Sequence, residues 1–418
     1  MSFQQTVGAA LCCGFNCNER SRHKAAPTVI FPIISLSIVV GLVAGCSKSS
    51  ETSVEESAAE VEAPTVPQTS WSMTRGGPHL SGNIAATVPG QMEIAWTFDA
   101  GQMISAEAAV LDGHVFVGTE DGLFFNLDLE TGEEQWKFET EDAITAAPAI
   151  SGDLVFLPSN DGQLYALGLE TGEEVWKFGV DDKISAAPVV VDNPGGEGQW
   201  VLMNGYDGTT RCLSAVDGSL IWSYQTEDFI NGSPAVVDNQ WVVFGGCDAQ
   251  LHVIGLEDGT LVHKIPNDSQ IVSSIATYKH MAYSGNYANQ VVAFDVDLGM
   301  IAWVYEDRNL PFNNAPGVSD DMLFIGSNDK HLHAINQETG ASVWKFRTGA
   351  RIESAPIVFE DGLIFGSGDG RLYALNLDTG EEIWRLDLGE GFIASPAYGY
   401  GVLIIGGEDG TVFALKES

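Results

Sequence analysis

The sequence is poor in basic side chains and, beyond its first 46 residues, in cysteine. Its 418 residues carry 19 Lys and Arg against 57 Asp and Glu, a formal net charge of −38. This charge opposes binding to nucleic acid and to anionic lipid, because both require a basic surface. Beyond Cys46 only Cys212 and Cys247 remain, so no disulfide framework is expected. A single bridge between them is chemically permitted, but their repeat positions differ and we expect two unpaired thiols.

Long apolar runs are scarce as well, and glycine is abundant. Apolar residues make up 44% of the chain, which is enough for a large buried core. Glycine occurs 47 times, above the usual share of about 7%. This composition favours a fold with many tight turns and argues against long helices.

The N-terminal region has the layout of a secretory signal. A basic segment that includes Arg20 and Lys24 precedes an apolar run over 29–44, which is short for a membrane span of about 20 residues. A retained anchor helix is the alternative. Residues 42–46, Leu-Val-Ala-Gly-Cys, resemble the bacterial lipobox. The resemblance implies a signal peptide over 1–45 and a lipidated Cys46, and Ser47 favours sorting to the outer membrane.

The segment that follows is polar and of low complexity. Residues 47–70 are rich in Ser, Glu, Ala, Thr and Pro and have almost no large apolar side chain. We therefore expect a disordered tether over 46–70, a leader segment over 71–89 that begins near Trp71, and one folded domain over 90–418.

A repeat of about 40 residues decides the expected fold. A turn glycine recurs along the chain, and an aromatic residue follows four positions later, with His263 as the exception. Within 145–184 four short apolar runs are separated by turn sequences such as Asp161-Gly162. Each repeat is therefore expected to form a four-stranded antiparallel blade, and tandem blades form a propeller.

The ends of the chain predict how the ring closes. Trp96 precedes Trp136 by 40 residues but has no three strands before it, whereas 395–415 provides three strands without a fourth. The N-terminal strand should complete the last blade, which gives an all-β, eight-bladed propeller without open edges. The recurring tryptophans are interpreted as docking residues between blades: Trp96, Trp136, Trp176, Trp222, Trp303, Trp344 and Trp384.

Two repeats carry a resemblance to a known family. Residues 374–384 (Ala-Leu-Asn-Leu-Asp-Thr-Gly-Glu-Glu-Ile-Trp) and 166–176 resemble the tryptophan-docking repeat of quinoprotein, or pyrroloquinoline quinone-like, propellers. Residues 71–78 resemble the Trp-x-x-x-Arg-Gly leader that often precedes them. That family includes quinone-dependent dehydrogenases, kinase sensor domains and BamB-like lipoproteins of outer-membrane assembly. The lipobox, the acidic tether and the single propeller are most similar to the last group.

The sequence departs from the enzymes of that family. They hold the quinone on the channel axis beneath a disulfide of adjacent cysteines, with a calcium ion, but the one adjacent pair here is Cys12-Cys13 in the predicted signal segment. We expect no catalytic activity, no cofactor and no metal. His331 and His333 have metal-site spacing, but His333 occupies an aromatic position of the repeat. A quinone-dependent oxidoreductase and a small-ligand sensor in the channel remain alternatives.

The predicted function is a lipid-anchored, non-catalytic scaffold at the bacterial envelope, on the outer membrane facing the periplasm. The resemblance implies that the partners are envelope proteins, such as those of the β-barrel assembly machinery. We expect the protein to bind the membrane through its lipid and not to bind nucleic acid. Blades five and six depart most from the repeat and predict a contact lip, since Arg and aromatic residues dominate interfaces. Its candidate residues are Arg308, Pro311, Phe312, Asn313, Arg351 and Glu353.

Overall fold

The protein forms eight separate four-stranded sheets, as seen in a computed structural model that describes residues 70–271, 273–307 and 310–418. The predicted signal peptide, Cys46 and the tether up to residue 69 lie outside the described residues, as does Arg308. The described ranges contain one short 3₁₀ turn, Thr74–Gly76, and otherwise strands and turns. They include no helical segment with the length and apolar character that crossing a bilayer requires.

The first four blades follow one another along the chain. Their strands are, for blade 1, β2 (Ala109–Leu111), β3 (His114–Gly118), β4 (Leu123–Asp128) and β5 (Glu134–Glu139); for blade 2, β6 (Ala149–Ser151), β7 (Leu154–Pro158), β8 (Gln163–Gly168) and β9 (Glu174–Gly179); for blade 3, β10 (Val189–Asp192), β11 (Gln199–Asn204), β12 (Thr209–Ser214) and β13 (Leu220–Gln225); and for blade 4, β14 (Ala235–Val237), β15 (Trp241–Gly245), β16 (Gln250–Gly255) and β17 (Leu261–Pro266).

The second half repeats the pattern until the last blade, which takes its fourth strand from the N-terminal side. The strands are, for blade 5, β18 (Ala276–Tyr278), β19 (Met281–Gly285), β20 (Gln290–Asp295) and β21 (Met300–Glu306); for blade 6, β22 (Gly317–Val318), β23 (Met322–Gly326), β24 (His331–Asn336) and β25 (Ser342–Arg347); for blade 7, β26 (Ile357–Val358), β27 (Gly362–Ser367), β28 (Arg371–Asn376) and β29 (Glu382–Asp387); and for blade 8, β30 (Ala397–Gly399), β31 (Val402–Gly406), β32 (Thr411–Glu417) and β1 (Met92–Asp99).

The predicted fold class is confirmed. Every sheet is antiparallel, and β1 pairs with β32 over its whole length, from Met92 opposite Glu417 to Asp99 opposite Thr411. The N-terminal strand therefore completes the eighth blade and closes the ring, which removes two open sheet edges.

The connections sort onto two faces of the ring. Loops that enter the first strand of a blade lie beside the turns between second and third strands, as where Glu120 N donates to Met103 O at 3.0 Å. We call this the upper face. Turns between first and second strands lie beside turns between third and fourth strands, as where Val296 N donates to His280 O at 3.0 Å, and these form the lower face.

Each outer strand carries a bulge that directs one aromatic side chain toward the next blade. In blade 2 the register shifts between Ala166 and Leu167, opposite Trp176 and Glu174, and leaves Val175 exposed. A bulge adds one residue to a strand and re-aims the side chains around it. Because the shift recurs in every blade, it sets the direction of the whole series of indoles.

Six of the seven indoles, all except Trp384, pack on a turn glycine of the neighbouring blade. Gly172 has a φ of +67°, and a Cβ there would lie 2.6 Å from Cε3 of Trp136, so this turn requires glycine. In blade 4 the imidazole of His263 takes the same place against Gly299. Each indole Nε1 also donates to a main-chain carbonyl of the next blade, and the pairs are Trp96 to Leu129, Trp136 to Leu169, Trp176 to Ala215, Trp222 to Leu256, Trp303 to Gln337, Trp344 to Leu377 and Trp384 to Pro89.

We predict that Trp136→Ala lowers the free energy of unfolding by about 3–5 kcal/mol, the usual cost of removing a large packed aromatic side chain. The substitution removes both the 2.9 Å hydrogen bond to Leu169 O and the packing on Gly172. Urea denaturation followed by circular dichroism measures the effect, with the exposed neighbour Gln135→Ala as control. Equal midpoints for the two variants would contradict a structural role for the indole.

Candidate functional site

The mouth of the central channel is a cavity of about 280 Å³ on the upper face. The segments that enter the first strand of each blade line it, and they contribute small and polar side chains such as Ser105, Thr145 and Ser233. Two acids, Glu107 and Glu353, also face the cavity, and Thr74 and Arg75 of the leader segment contribute to its wall. The cavity is therefore narrow, polar and bounded by residues from most of the ring.

The leader segment, residues 71–89, lies in the channel along the inner edges of the blades. The first strand of a blade has no neighbour on its channel side, so its main-chain groups need partners there. The leader provides them for six blades. The main-chain pairs join Trp71 with Val110, Ile150 N with Ser72 O, Val236 N with Pro78 O, Thr277 N with His79 O, Val318 N with Ser81 O and Val358 N with Gly82 O, at 2.7–2.9 Å.

A buried polar cluster holds the leader at its deepest point. The Glu107 carboxylate accepts hydrogen bonds from Trp71 Nε1, from Thr74 Oγ1 at 3.1 Å and from the main-chain N of Arg75 at 3.0 Å. Burial raises the pKa of Glu107, and the Arg75 charge together with these hydrogen bonds opposes that rise. These three hydrogen bonds occupy both carboxylate oxygens, so Glu107 has a structural role and is not available to a ligand.

Arg75 has a left-handed backbone conformation and lies in close contact with Gly82. Its φ is +55°, and its guanidinium donates from Nη2 to Pro356 O at 2.6 Å. Burial lowers the pKa of Arg75, while the charge of Glu107 opposes that change. Gly82 passes so close to Nη2 that any Cβ at position 82 would overlap the guanidinium. The side chain is thus enclosed by the returning part of the leader.

Sequence reasoning missed this cluster, although one signal was present. The segments Ile144–Ile150 and Ile184–Val190 place Ala147 and Ala187 where blade 1 has Glu107. A single acid in a position otherwise occupied by alanine or serine, facing a narrow axis, needs a buried partner. The Arg of the Trp-x-x-x-Arg-Gly leader is the nearest cation that could supply it.

The residues of the mouth do not fit the quinone and calcium of the related enzymes. Pyrroloquinoline quinone carries several carboxylates, whereas Arg75 is the single cation among the described residues that line the cavity and faces two acids there. Calcium needs carboxylate oxygens that are available to it, and both oxygens of Glu107 already accept hydrogen bonds. We derive no chemistry through either group.

The His331 and His333 pair belongs to a repeated structural motif. His333 is fully buried, its Nε2 lies 3.2 Å from Asp329 Oδ1, and its Nδ1 lies 3.1 Å from the Tyr305 hydroxyl. Asp307 completes a group with the spacing of a metal site, but its carboxylate pairs with Lys345. The same turn aspartate contacts the ring four residues later in three other blades, as Asp161 with Tyr165, Asp248 with His252 and Asp369 with Tyr373.

The predicted contact lip is only partly exposed. Phe312 is fully buried and packs against His333 with ring centroids 5.1 Å apart. This correction removes Phe312 from any contact surface, because an apolar ring in the core gains more from burial than from solvent exposure. Pro311 and Asn313 are half-buried, whereas Arg351 is exposed and its Nε pairs with Glu353 Oε2 at 2.8 Å. Burial raises the pKa of Glu353. Arg308 lies outside the described residues.

A second upper-face feature escaped the sequence analysis. Tyr206, Phe229 and Tyr287, which we call the aromatic arc, come from blades 3 to 5. Tyr206 stacks on Phe229 with centroids 4.5 Å apart, and Phe229 and Tyr287 remain 42% and 38% exposed. Tyr206 and Tyr287 occupy the turn position that holds Glu120 in blade 1 and Asn160 in blade 2. Alignment of the repeats would therefore have revealed the two tyrosines.

Fold and channel together define a quinoprotein-type β-propeller. A family model described as outer membrane protein assembly factor BamB matches residues 81–226, 206–316 and 309–418. The chain belongs to this family of PQQ-like propellers. No curated protein sequence shows significant similarity to the chain.

Solved structures support the same fold. BamB from Moraxella catarrhalis is 20% identical with a TM-score of 0.66, over 78% of this chain and 100% of that one. Quinohemoprotein alcohol dehydrogenase from Comamonas testosteroni is 13% identical with a TM-score of 0.70, over 83% and 80%. The computationally designed Ika8 protein is 20% identical with a TM-score of 0.66, over 76% and 96%. At these identities the likeness concerns the fold alone.

We predict that Glu107→Ala costs about 3–5 kcal/mol of unfolding free energy, because it removes the negative charge beside the buried Arg75. It also leaves the Arg75 main-chain N and the side-chain donors of Trp71 and Thr74 without their acceptor. The double variant Arg75→Met, Glu107→Leu should lose less than Glu107→Ala alone, since it removes both charges together. Chemical denaturation measures both, with the exposed Glu133→Ala as control. Additive losses in the double variant would contradict the coupling.

We also predict an acid-sensitive contribution from Asp329. Burial alone would raise its pKa, but the hydrogen bond from His333 and the charges of His333 and His331 lower the pKa to about 2. Because the folded value lies below the unfolded value of about 4, the stabilisation, of about 1–2 kcal/mol, exists above pH 4 and is lost as pH falls toward 2. Unfolding free energies of the wild type and Asp329→Asn should converge over that range.

The matched control is Asp121→Asn in blade 1, where Phe125 takes the place of the histidine. The difference in unfolding free energy between Asp121→Asn and the wild type should change less from pH 5 to pH 2 than the difference between Asp329→Asn and the wild type. A constant offset of Asp329→Asn at all pH values would refute the linkage.

Proposed function

We propose that the protein is a non-catalytic docking scaffold of the bacterial envelope, anchored by lipid at Cys46 on the periplasmic side of the outer membrane. The partner class is the protein machinery that assembles outer-membrane β-barrels. The observation that carries the proposal is the filled channel, because it leaves the upper face, rather than the axis, as the surface for recognition.

The polar groups at the axis support a structural role for the channel. Glu107 accepts from three leader groups, and Arg75 donates to Pro356 O. A reactive centre needs a nucleophile, a base and an orienting group within hydrogen-bond reach of a substrate position. Both carboxylate oxygens of Glu107 and the Nη2 of Arg75 are hydrogen-bonded to the protein itself, so recognition is the better-supported role.

The aromatic arc supplies the chemistry for docking. Aromatic side chains dominate the binding energy of interfaces, and a stacked pair presents a rigid apolar surface. In the same blades the upper-face loops carry exposed acids such as Asp182, Asp228 and Asp268. An extended or hairpin segment with apolar and basic side chains fits this combination, since the acids would steer it and the rings would bind it.

The N-terminal motif and the family support the proposed location. Lipidation of Cys46 would supply the double acyl anchor that stable membrane attachment requires. The family description as an outer membrane protein assembly factor supports attachment to that membrane. Ser47 after the cysteine agrees with this sorting.

We predict that Phe229→Ala with Tyr287→Ala weakens partner capture at least about tenfold, as expected for two interface aromatics. In-cell crosslinking from the upper face, followed by mass spectrometry, identifies the captured proteins in the wild type and the variant. The matched control is Val343→Ala with Ile383→Ala, two apolar residues 49% and 46% exposed on outer strands. Equal capture by both variants would contradict docking on the arc.

The enzymatic alternative is tested on the same preparations. Purified protein mixed with pyrroloquinoline quinone, calcium and an alcohol should not reduce an electron-accepting dye. Dye reduction above a quinone-only blank would overturn the non-catalytic assignment.

A further inference from the structure

The lower face carries an apolar arc that the upper-face function does not use. It comprises the exposed side chains at the turns between third and fourth strands of blades 3 to 5, and we call it the lower apolar arc. Their exposed fractions range from 48% to 74%. The members are Val216, Leu220, Leu261, Leu298 and Met300.

The arc replaces acids that other blades carry in the same turns. Counted from the turn glycine, Leu220 and Leu261 stand where blades 1, 2 and 7 have Glu134, Glu174 and Glu382. Met300 takes the position of Glu133, Glu173 and Glu381, and Val216 that of Glu130 and Glu170. In a protein with a net charge of −38, these turns thus carry fewer acids and more exposed apolar side chains than those of blades 1 and 2. The acids that remain in them are Asp217, Glu257, Asp258 and Asp297. Contiguous exposed apolar surface commonly marks an interaction site.

Blade 5 adds residues suited to a membrane interface. The turn between its first two strands lies on the same lower face, where Val296 N donates to His280 O. It presents Tyr278 and Lys279, with the Lys279 ammonium 4.7 Å from the centre of the Tyr278 ring. Tyrosine and lysine beside aliphatic side chains are typical of the boundary between lipid headgroups and acyl chains.

The leader segment enters the channel from the lower face. Trp71 pairs antiparallel with Val110, and the next residues rise toward Glu107, since Arg75 N contacts that side chain. Glu107 lies at the upper end of the first strand of blade 1, so the chain enters the channel from below. Trp71 therefore lies on the side of the lower face, and the 24 residues that separate it from Cys46 would span at most about 85 Å if fully extended.

We propose that the lower apolar arc rests on the surface of a zwitterionic phospholipid bilayer and directs the upper face away from it. The inference rests on the lipid anchoring in the proposed function. Val216, Leu298 and Met300 enter the boundary of the acyl chains, while Lys279 remains at the headgroups. Anionic lipid is disfavoured by the charge of the chain. The lipid anchor keeps the ring close to the bilayer and so raises the effective concentration of the membrane surface. A weak contact by the lower apolar arc is then enough to orient the ring.

The experiment uses the full chain with Cys46→Ser, which removes the lipid and isolates the contact of the arc. Flotation with phosphatidylethanolamine and phosphatidylcholine vesicles measures the bound fraction. We expect weak binding that falls about tenfold in the triple variant Leu261→Ser, Leu298→Ser, Met300→Ser. The control Val175→Ser, Val343→Ser, Ile383→Ser changes residues that are 46–56% exposed on the outer strands of blades 2, 6 and 7, and it should alter binding less than about twofold. Equal melting temperatures verify that both variants are folded.

Orientation is read in the lipidated protein. Hydrogen exchange at 214–222 and 296–302 should slow on reconstitution into the same vesicles, while exchange at 205–208 and 227–231 on the upper face should not. Loss of vesicle binding in both triple variants, or protection confined to the upper face, would overturn the proposal. So would a triple variant that changes the oligomeric state or partner capture but not flotation, since the occupant would then be protein.

The two proposals fail separately. Mass spectrometry of Cys46 tests the anchor, and capture through Phe229 and Tyr287 tests the scaffold role. Flotation of the unlipidated Cys46→Ser chain tests the arc whatever those results are.

Discussion

The contact between an outer-strand indole and a turn glycine of the next blade is the constraint on which the ring depends. A blade alone has two broad apolar faces, and only a fixed rotation between neighbours buries both. The bulge before each indole and the positive φ of glycines such as Gly172 set that rotation. The outer-strand aromatic residue recurs every 40 to 46 residues from Trp96 to Trp384. The number of blades therefore follows from the number of these aromatic positions.

This repetition explains what the sequence could predict. The spacing from Trp96 to Trp136 and the three unmatched strands after Ser395 were enough to predict closure by β1, because they are local patterns repeated many times. The path of residues 71–89 was not predictable in this way, because it has little regular structure and its partners are far apart in sequence. Phe312 was misjudged for a related reason: a departure from the repeat was taken as exposed, whereas its ring fills a space beside His333.

The leader gives the ring a second closure. At the outside, β1 joins β32; at the axis, main-chain hydrogen bonds join one segment to the first strands of six blades. The buried Arg75 and Glu107 fix the position of that segment, although ionic groups are costly to bury, and such groups often favour one arrangement over its alternatives. In this chain the axis is part of the hydrophobic and polar core, and the two faces differ in the side chains that they expose.

The hydrogen bond from Trp384 to Pro89 has a mechanical consequence. Residues 71–89 pass from blade 1 through the axis and out beneath blade 7 before they become β1, so a pulling force on the N-terminus enters the disc at its centre. Such a load is shared in shear by many main-chain bonds instead of unzipping one strand from a rim. A force applied on the N-terminal side of Trp71 would therefore act against the combined hydrogen bonds to six blades.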